Sequence, residues 1–168
     1  MTTAIAALVL EAWRDLDRAT ADLSAEDAER RIGSASPISW TVAHCTHMVD
    51  SWLNVNFQAA EPHPFINGDV FRKGATGEAL DWQDVQLAVD EVRAAARPYL
   101  ESIEHEALYE RVPYTGSIEK LRESGFSPRY AMMRIAAHHY FHVGEIVAAR
   151  GTLGHDAGDY PGVMEGCL

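Results

Sequence analysis

The chain has 168 residues, of which 47% are hydrophobic, and this composition favours one folded domain over a disordered chain. Its 25 acidic and 14 basic residues give a formal net charge of −11, which argues against nucleic acid and anionic membranes as partners. The only cysteines, Cys45 and Cys167, form no CxxC pair, so a reducing cytoplasm is the expected location.

The first half of the chain predicts two long helices. Apolar residues recur at helical spacing over about residues 3–23, which predicts the first helix. The second is expected to begin at Ser36-Pro37, because serine followed by proline is a typical helix start, and to continue to about Ala60. Residues 61–80 are rich in proline and glycine, and a loop of this length in a compact domain is often functional.

The third helix is predicted to start near Asp81, with Pro98 near its end. A connection follows in which residues 117–123 are expected to form a short turn. Between Asp81 and Pro98 apolar residues recur at helical spacing, so one face of the third helix is expected to pack into the core.

The fourth helix is predicted to open at Ser127-Pro128 and to run to about Arg150, where Gly151 and Gly154 are expected to stop it. The tail, residues 151–168, is expected either to pack over one end of the fold or to stay loose. Four helices of about 20 residues, each roughly 30 Å long, predict an all-α protein with one four-helix bundle domain spanning the whole chain.

Histidines are the residues most indicative of function, since the chain contains eight of them. His138 and His142 lie four residues apart, so they share one face of the fourth helix. His44 lies on the second helix, on the face that carries Trp40, Met48 and Ser51 and is expected to look inward. Three imidazoles so placed can bind one divalent ion and leave a coordination position open. Spacing alone also fits histidines that only pack or form hydrogen bonds in the core.

Two segments carry a family resemblance. The run from Ser36 to His44, with Trp-x-x-x-His at its end, resembles the second-helix motif of the DinB-like (YfiT-like) superfamily. The run His138-His-Tyr-Phe-His142-Val-Gly-Glu-Ile146 is similar to the fourth-helix signature of that superfamily. The resemblance implies a four-helix bundle with up-down-down-up connections, which is often dimeric. It also implies a divalent metal bound by His44, His138 and His142, with zinc or nickel expected first and iron or manganese as alternatives.

Other polar residues near these motifs have two interpretations each. His47 either lies near the ion or packs, and Glu145 either accepts a hydrogen bond from a ligand ring or is a solvated carboxylate. Arg129 and Arg134 either recognise an anionic group or are ordinary surface charges.

Two further residues beside the ligands are expected to stay out of the metal site. His139 is expected to face the apolar stripe of the fourth helix. Cys45 is turned about 100° away from His44 on its helix and is not counted as a ligand.

The resemblance implies two alternative functions. One is a metal-dependent enzyme that transfers a low-molecular-weight thiol, such as bacillithiol or mycothiol, to a small-molecule substrate. An alanine- and arginine-rich composition is typical of GC-rich bacteria and favours mycothiol. The sulfoxide synthases related to this superfamily have a glutamate where this chain has Gly144, so oxidative sulfur insertion is not expected.

The alternative is a non-catalytic, stress-associated metal-binding protein that forms a dimer. An open pocket lined by residues 61–80 and Trp40 would favour the enzyme, whereas an ion capped by protein would favour the binding protein. A third interpretation is a helical dimer whose histidines only pack.

Overall fold

A computed structural model describes residues 2–71, 75 and 77–167, and these residues are almost entirely helical or in connecting loops. An isolated bridge between Val112 and Phe126 is the one β pairing in this part of the chain. Four long and two short α-helices follow in chain order: α1 (Ala4–Thr20), α2 (Ala25–Glu29), α3 (Ile38–Val49), α4 (Trp82–Ser102), α5 (Glu119–Ser124) and α6 (Pro128–Leu153). A π-helix, Asp50–Phe57, continues α3, and single 3₁₀ turns form at Asp69–Phe71, Ala107–Tyr109 and Glu165–Cys167.

The long helices pack in a ring that encloses one hydrophobic core. Helix α1 packs on α6, α6 on α3, α3 on α4, and α4 on α1. Each of the four helices contributes a large buried side chain to this core: Trp13, Val49, Leu100 and Ile135. The predicted all-α four-helix fold is therefore confirmed, and the order up-down-down-up stays a prediction.

Several helix ends follow the signals expected from the sequence. The Ser127 side chain accepts a hydrogen bond from the Tyr130 amide at the start of α6, and Asp81 does the same for α4. At the start of α3, in contrast, Pro37 rather than Ser36 occupies the N-cap position, without a side-chain cap.

The predicted ends of α6 and α4 agree with the structure except at Gly151. Gly151 lies inside α6, which ends at Leu153, and Gly154 follows as the C-cap with a φ of 91°, a left-handed conformation that favours glycine. Pro98 lies near the end of α4, as predicted, and the helix continues to Ser102. Pro98 is exposed, so water can solvate the backbone carbonyl that loses its helical hydrogen-bond donor.

The π-helix is where the predicted second helix departs from α geometry. Its polar residues are buried and bonded: the Asn54 amide donates to Asp50 Oδ1 (3.1 Å) and to the Val92 carbonyl (3.2 Å). The second Asp50 oxygen accepts from the His63 amide at 2.9 Å. A buried carboxylate needs such donors. The network therefore stabilises the wider turn of the π-helix, in which the backbone departs from α-helical geometry. π-Helices are rare, and those that occur within α-helices frequently lie at functional sites.

Arg150 is a second buried polar group that sequence periodicity did not predict. It is 9% exposed, and its Nη1 donates to the carbonyls of Ala19 (3.1 Å) and Ala21 (2.7 Å). These carbonyls lie at the end of α1, where the helix leaves its last carbonyls without intrahelical partners. Arg150 therefore joins the end of α6 to the end of α1.

The described part of the tail is hydrogen-bonded along α1. The backbone amide of Gly162 donates to Asp15, and that of Gly166 donates to Glu11 at 2.7 Å. Both carboxylates are buried, and each also pairs with an arginine of α1. No helix among the described residues is long and apolar enough to cross a membrane.

Candidate metal centre

The three histidines singled out in the sequence converge between α3 and α6. His44 Nε2 lies 3.1 Å from His138 Nε2, and His142 Nε2 lies 3.2 Å from the same atom. The potential ligand atoms of all three residues lie within 4.8 Å of one another. The helical spacing of four places His138 and His142 one above the other, and α3 supplies the third ring from the facing helix.

Hydrogen bonds on the far side of two rings fix which nitrogen faces the site. His142 Nδ1 lies 2.6 Å from Glu145 Oε2, and His44 Nδ1 donates to the Phe71 carbonyl. A carboxylate and a carbonyl only accept, so in the neutral rings Nδ1 carries the proton and Nε2 carries a lone pair. This is the arrangement by which carboxylates and carbonyls orient metal-binding histidines.

The three Nε2 atoms fit a cation better than they fit hydrogen bonds to one another. A proton on His138 Nε2 can be donated to His44 or to His142, but only to one of them at a time. His138 Nδ1 is buried and has no hydrogen-bond partner among the described residues. Zinc bonds of about 2.0–2.1 Å in tetrahedral geometry place ligand nitrogens about 3.3 Å apart, close to the 3.1 and 3.2 Å observed.

Burial favours the neutral form of two of these rings, His44 and His138, as metal binding requires. Burial lowers the pKa of His138 to about 2, with further contributions from His142, His44 and other nearby groups, including Arg134. Burial also lowers the pKa of His44, partly offset by its bond to the Phe71 carbonyl. Protons therefore compete weakly with a metal for these two ligands near neutral pH.

The long loop is tied to α3 by side chains that surround the site. Trp40 Nε1 donates to the Val70 carbonyl (2.9 Å), and His47 Nδ1 donates to the Ile66 carbonyl (2.8 Å). Trp40 also stacks on His44, with ring centroids 4.9 Å apart and planes 8° from parallel. The loop and Trp40 together fix the orientation of the His44 ring. His47 is thus a wall residue that binds the loop, and it lies outside the triad.

An open cavity of about 1090 Å³ adjoins the three rings. Trp40, Phe71 and Ala75 lie in its wall, so the predicted contribution of Trp40 and the 61–80 loop is confirmed. A cavity of this volume is large enough for a drug-sized organic molecule.

Sequence periodicity accounts for only part of this wall. Ser51 and Asn56 both lie in the π-helix: Ser51 continues the inward face of Trp40 and Met48, as expected from the sequence, whereas Asn56 was not predicted. Residues 114–118 come from a connection without periodic pattern.

A second group of potential ligands lies beside the first. Cys45, His138 and His139 also have ligand atoms within 4.8 Å of one another. Cys45 is fully buried, and burial raises the pKa of its thiol, so the proton that a metal would displace is firmly held. His139 faces the core as predicted, with Nδ1 2.9 Å from the Ile135 carbonyl. The triad remains the better candidate because its rings face the cavity and two of them, His44 and His142, carry orienting partners.

Comparison with known families settles the relationship that the motifs suggested. The family model described as the DinB superfamily matches residues 8–146. The chain belongs to the DinB superfamily. The match includes all three histidines of the triad and the whole of α3. No curated protein sequence matches this DinB-superfamily chain.

A solved structure supports the fold of this DinB-superfamily protein. It is described as a conserved protein from Enterococcus faecalis, with a TM-score of 0.68 and 12% sequence identity. The alignment covers 92% of this chain and 99% of that one. At this identity the likeness shows a shared fold and nothing about a shared reaction.

Proposed function

We propose that this DinB-superfamily protein is a metal-dependent enzyme that transfers a low-molecular-weight thiol to a small electrophilic substrate. The observation that carries the proposal is the convergence of three Nε2 atoms at the wall of a large open cavity. His44, His138 and His142 would hold the ion, and three protein ligands leave a position for a thiol or water. A divalent ion in such a site lowers the pKa of a bound thiol or water and supplies a nucleophile at neutral pH.

The chain's own side chains hold the ligands in place for this chemistry. Glu145 accepts the His142 Nδ1 proton, and the Phe71 carbonyl accepts that of His44, so the basic nitrogen of each ring faces the cavity. Trp40 prevents the His44 ring from turning by stacking on it. In the transfer itself the thiol gives its S–H proton to water, sulfur forms a bond to carbon, and the bond from that carbon to the leaving group breaks, with its electron pair going to the leaving group.

The open side of the site favours catalysis over simple metal storage. The rings border a cavity instead of being capped by other side chains, so a substrate can reach them. Structural metal sites are closed, whereas catalytic sites keep an open position.

The first test is metal content. We expect about one divalent ion per chain in untagged protein purified without chelator, and loss of that ion in His142→Ala. His105→Ala is the matched control, because His105 is exposed and lies outside the triad. If neither wild type nor control binds zinc, nickel, iron or manganese after incubation, the proposal fails.

The second test is the reaction. Metal-loaded wild type is incubated with mycothiol or bacillithiol and monochlorobimane, whose fluorescence rises when the thiol sulfur replaces its chloride. We expect turnover with one of the two thiols, and its loss in His142→Ala but not in His105→Ala. Stoichiometric metal without any thiol transfer would favour the non-catalytic alternative.

We also propose that the protein is a homodimer that uses the exposed side of α6. Tyr130, Met133 and Phe141 are large apolar residues on this helix with exposed fractions of 36%, 47% and 65%. Clustered apolar exposure is typical of an interface. Light scattering should give twice the chain mass for wild type and the single-chain mass for Met133→Glu; a wild-type monomer would contradict the proposal.

A further inference from the structure

The cavity carries two formally charged side chains among the described residues of its wall, and they flank the triad. Arg134 lies four residues before His138 on α6, and Glu145 lies three residues after His142. Because residues three and four apart are neighbours on a helix, the charges border the triad on opposite sides along the axis. The cavity is therefore positive on one side of the site and negative on the other.

The negative charge already has a partner inside the site. Glu145 Oε2 lies 2.6 Å from His142 Nδ1, and this contact orients the ring. The positive charge has no such partner: no carboxylate of a described residue lies within ion-pair distance of Arg134. Five of the other ten described arginines of this acidic chain pair with carboxylates, namely Arg14, Arg18, Arg30, Arg93 and Arg97.

Aromatic rings hold the Arg134 guanidinium at the cavity wall. Its Cζ lies 5.8 Å from the centre of the Trp52 ring, and its Nη1 is 3.5 Å from the Tyr130 hydroxyl. Tyr130 in turn stacks on Trp52, with centroids 6.1 Å apart. A guanidinium over a ring uses its face for the contact, and its N–H groups remain along the edge. An edge of N–H groups is the surface that binds a carboxylate with two parallel hydrogen bonds.

The walls beyond the two charges differ in polarity. Tyr114 lies near Trp52, at 6.3 Å between centroids, and it opens a segment that lines the cavity with Thr115 and Ser117. On the other side of the triad α6 contributes mainly Ile146, Ala148 and Ala149. A ligand with an anionic end and an apolar end thus has one favourable orientation.

We propose that the cavity binds a small organic carboxylate whose anionic group bonds to Arg134 while its reactive atom lies at the histidine triad. This inference rests on the proposed function, and it specifies the substrate class of that site. Residues four apart on a helix have Cβ atoms about 6 Å apart. One aromatic ring between the carboxylate and the reactive atom is therefore the first spacer length to test.

A matched pair of probes isolates the charge. The first is para-(mercaptomethyl)benzoate, which carries a carboxylate and a metal-binding thiol across one ring, and the second is its neutral carboxamide. Both are titrated into zinc-loaded protein by calorimetry. We expect the carboxylate to bind about tenfold more tightly, as charge-assisted hydrogen bonds to a partly exposed group predict. Added salt should reduce this preference.

Two variants of Arg134 and one control variant test whether this residue causes the preference for the carboxylate. Arg134→Gln should abolish the preference for the carboxylate, and Arg134→Lys should retain part of it, because lysine keeps the charge but loses the two-pronged geometry. Arg129→Gln is the control: Arg129 lies on the same helix and stacks on Tyr109, and the change in net charge is identical. It should leave the preference unchanged. Equal binding of both probes to wild type, or a preference that survives Arg134→Gln, would overturn the inference.

Titrations of metal-free protein separate this inference from the proposed function. NMR titration with para-methylbenzoate and para-methylbenzamide, which lack the thiol, should show the same carboxylate preference at lower affinity, again lost in Arg134→Gln. If zinc does not bind but this preference persists, the proposed function fails and the carboxylate site stands. If zinc binds and neither probe pair shows a preference, the carboxylate site fails alone.

Discussion

The hydrogen bond between Glu145 and His142 gives the sharpest prediction about the metal centre. Glu145→Gln keeps the size of the side chain but replaces a charged acceptor with a neutral amide, at a contact of 2.6 Å. Loss of such an orienting carboxylate typically reduces metal affinity 10- to 100-fold. The Glu145 side chain is 51% exposed, so we expect the lower end, about tenfold or about 1.4 kcal/mol.

The lower metal affinity of Glu145→Gln should also appear in thermal unfolding. A ligand that binds only the folded state stabilises it in proportion to the logarithm of its concentration over its dissociation constant. For a chain of this size about 1 kcal/mol corresponds to about 2–4 °C in Tm. The zinc-induced rise in Tm should therefore be about 3–6 °C smaller in Glu145→Gln than in wild type. The metal-free Tm should barely change, because the side chain is half exposed.

A matched control is available elsewhere in the chain. Glu91 Oε2 lies 2.8 Å from His63 Nε2, so Glu91→Gln removes the same kind of contact away from the triad. Zinc affinity is measured by competition with a chromophoric chelator. A zinc affinity for Glu145→Gln within twofold of wild type, or an equal loss in Glu91→Gln, would refute the orienting role.

Three further predictions concern stability, each measured by urea unfolding of chelator-treated protein. Arg150→Met should cost about 2–3 kcal/mol, because it leaves two carbonyls at the end of α1 without their charged donor; a cost below about 0.5 kcal/mol would contradict this. Burial lowers the pKa of His139 to about 3, so the unfolded chain takes up this proton at higher pH than the folded one, and stability falls as pH drops from about 6.5 towards 3. In His139→Gln the free energy of unfolding should fall less steeply with pH, by up to about 1 kcal/mol per pH unit. Parallel stability–pH profiles of variant and wild type would contradict this. Gly154→Ala should destabilise by about 1 kcal/mol, since φ is 91°, whereas Gly151→Ala, with open space at its Cβ position, should stabilise by a similar amount; equal signs would contradict the assignment of the helix end.

Local patterns in the sequence were sufficient for the helices and for the candidate ligands. The spacing of His138 and His142 follows directly from helical geometry, and the motif around Trp40 identified His44 as their partner. The helices arise from apolar residues at helical spacing together with capping signals, both of which act over a few residues. These features are local, so they can be predicted without knowledge of the tertiary structure.

Features that depend on distant contacts could not be predicted in this way. The π-helix is stabilised by the buried network of Asp50 and Asn54, whose partners lie up to 38 residues away. Arg150 looked like an ordinary charged residue at a helix end, and its burial depends on where α1 ends in space. Tyr114 reaches the cavity from a connection without any period. In each case the position of the residue depends on tertiary packing. Its partners lie far away in the sequence, so a short segment of sequence does not reveal them.

The tail, which packs on α1, lies beyond the segment that matches the family and still contributes to the folded domain. The family match stops at residue 146, and an expression vector designed on that match would omit the segment that supplies backbone donors to Asp15 and Glu11. Both carboxylates would then lose these backbone donors, and the surface of α1 that the tail covers would be exposed to water. A Cβ at Gly162 would collide with Arg18 Nη1, and one at Gly166 would lie 2.5 Å from Glu11 Oε1, so a side chain at either position would displace the group beneath it. Shortened or C-terminally mutated versions should therefore be less soluble and more sensitive to proteolysis than the full chain, even though His44, His138 and His142 are retained.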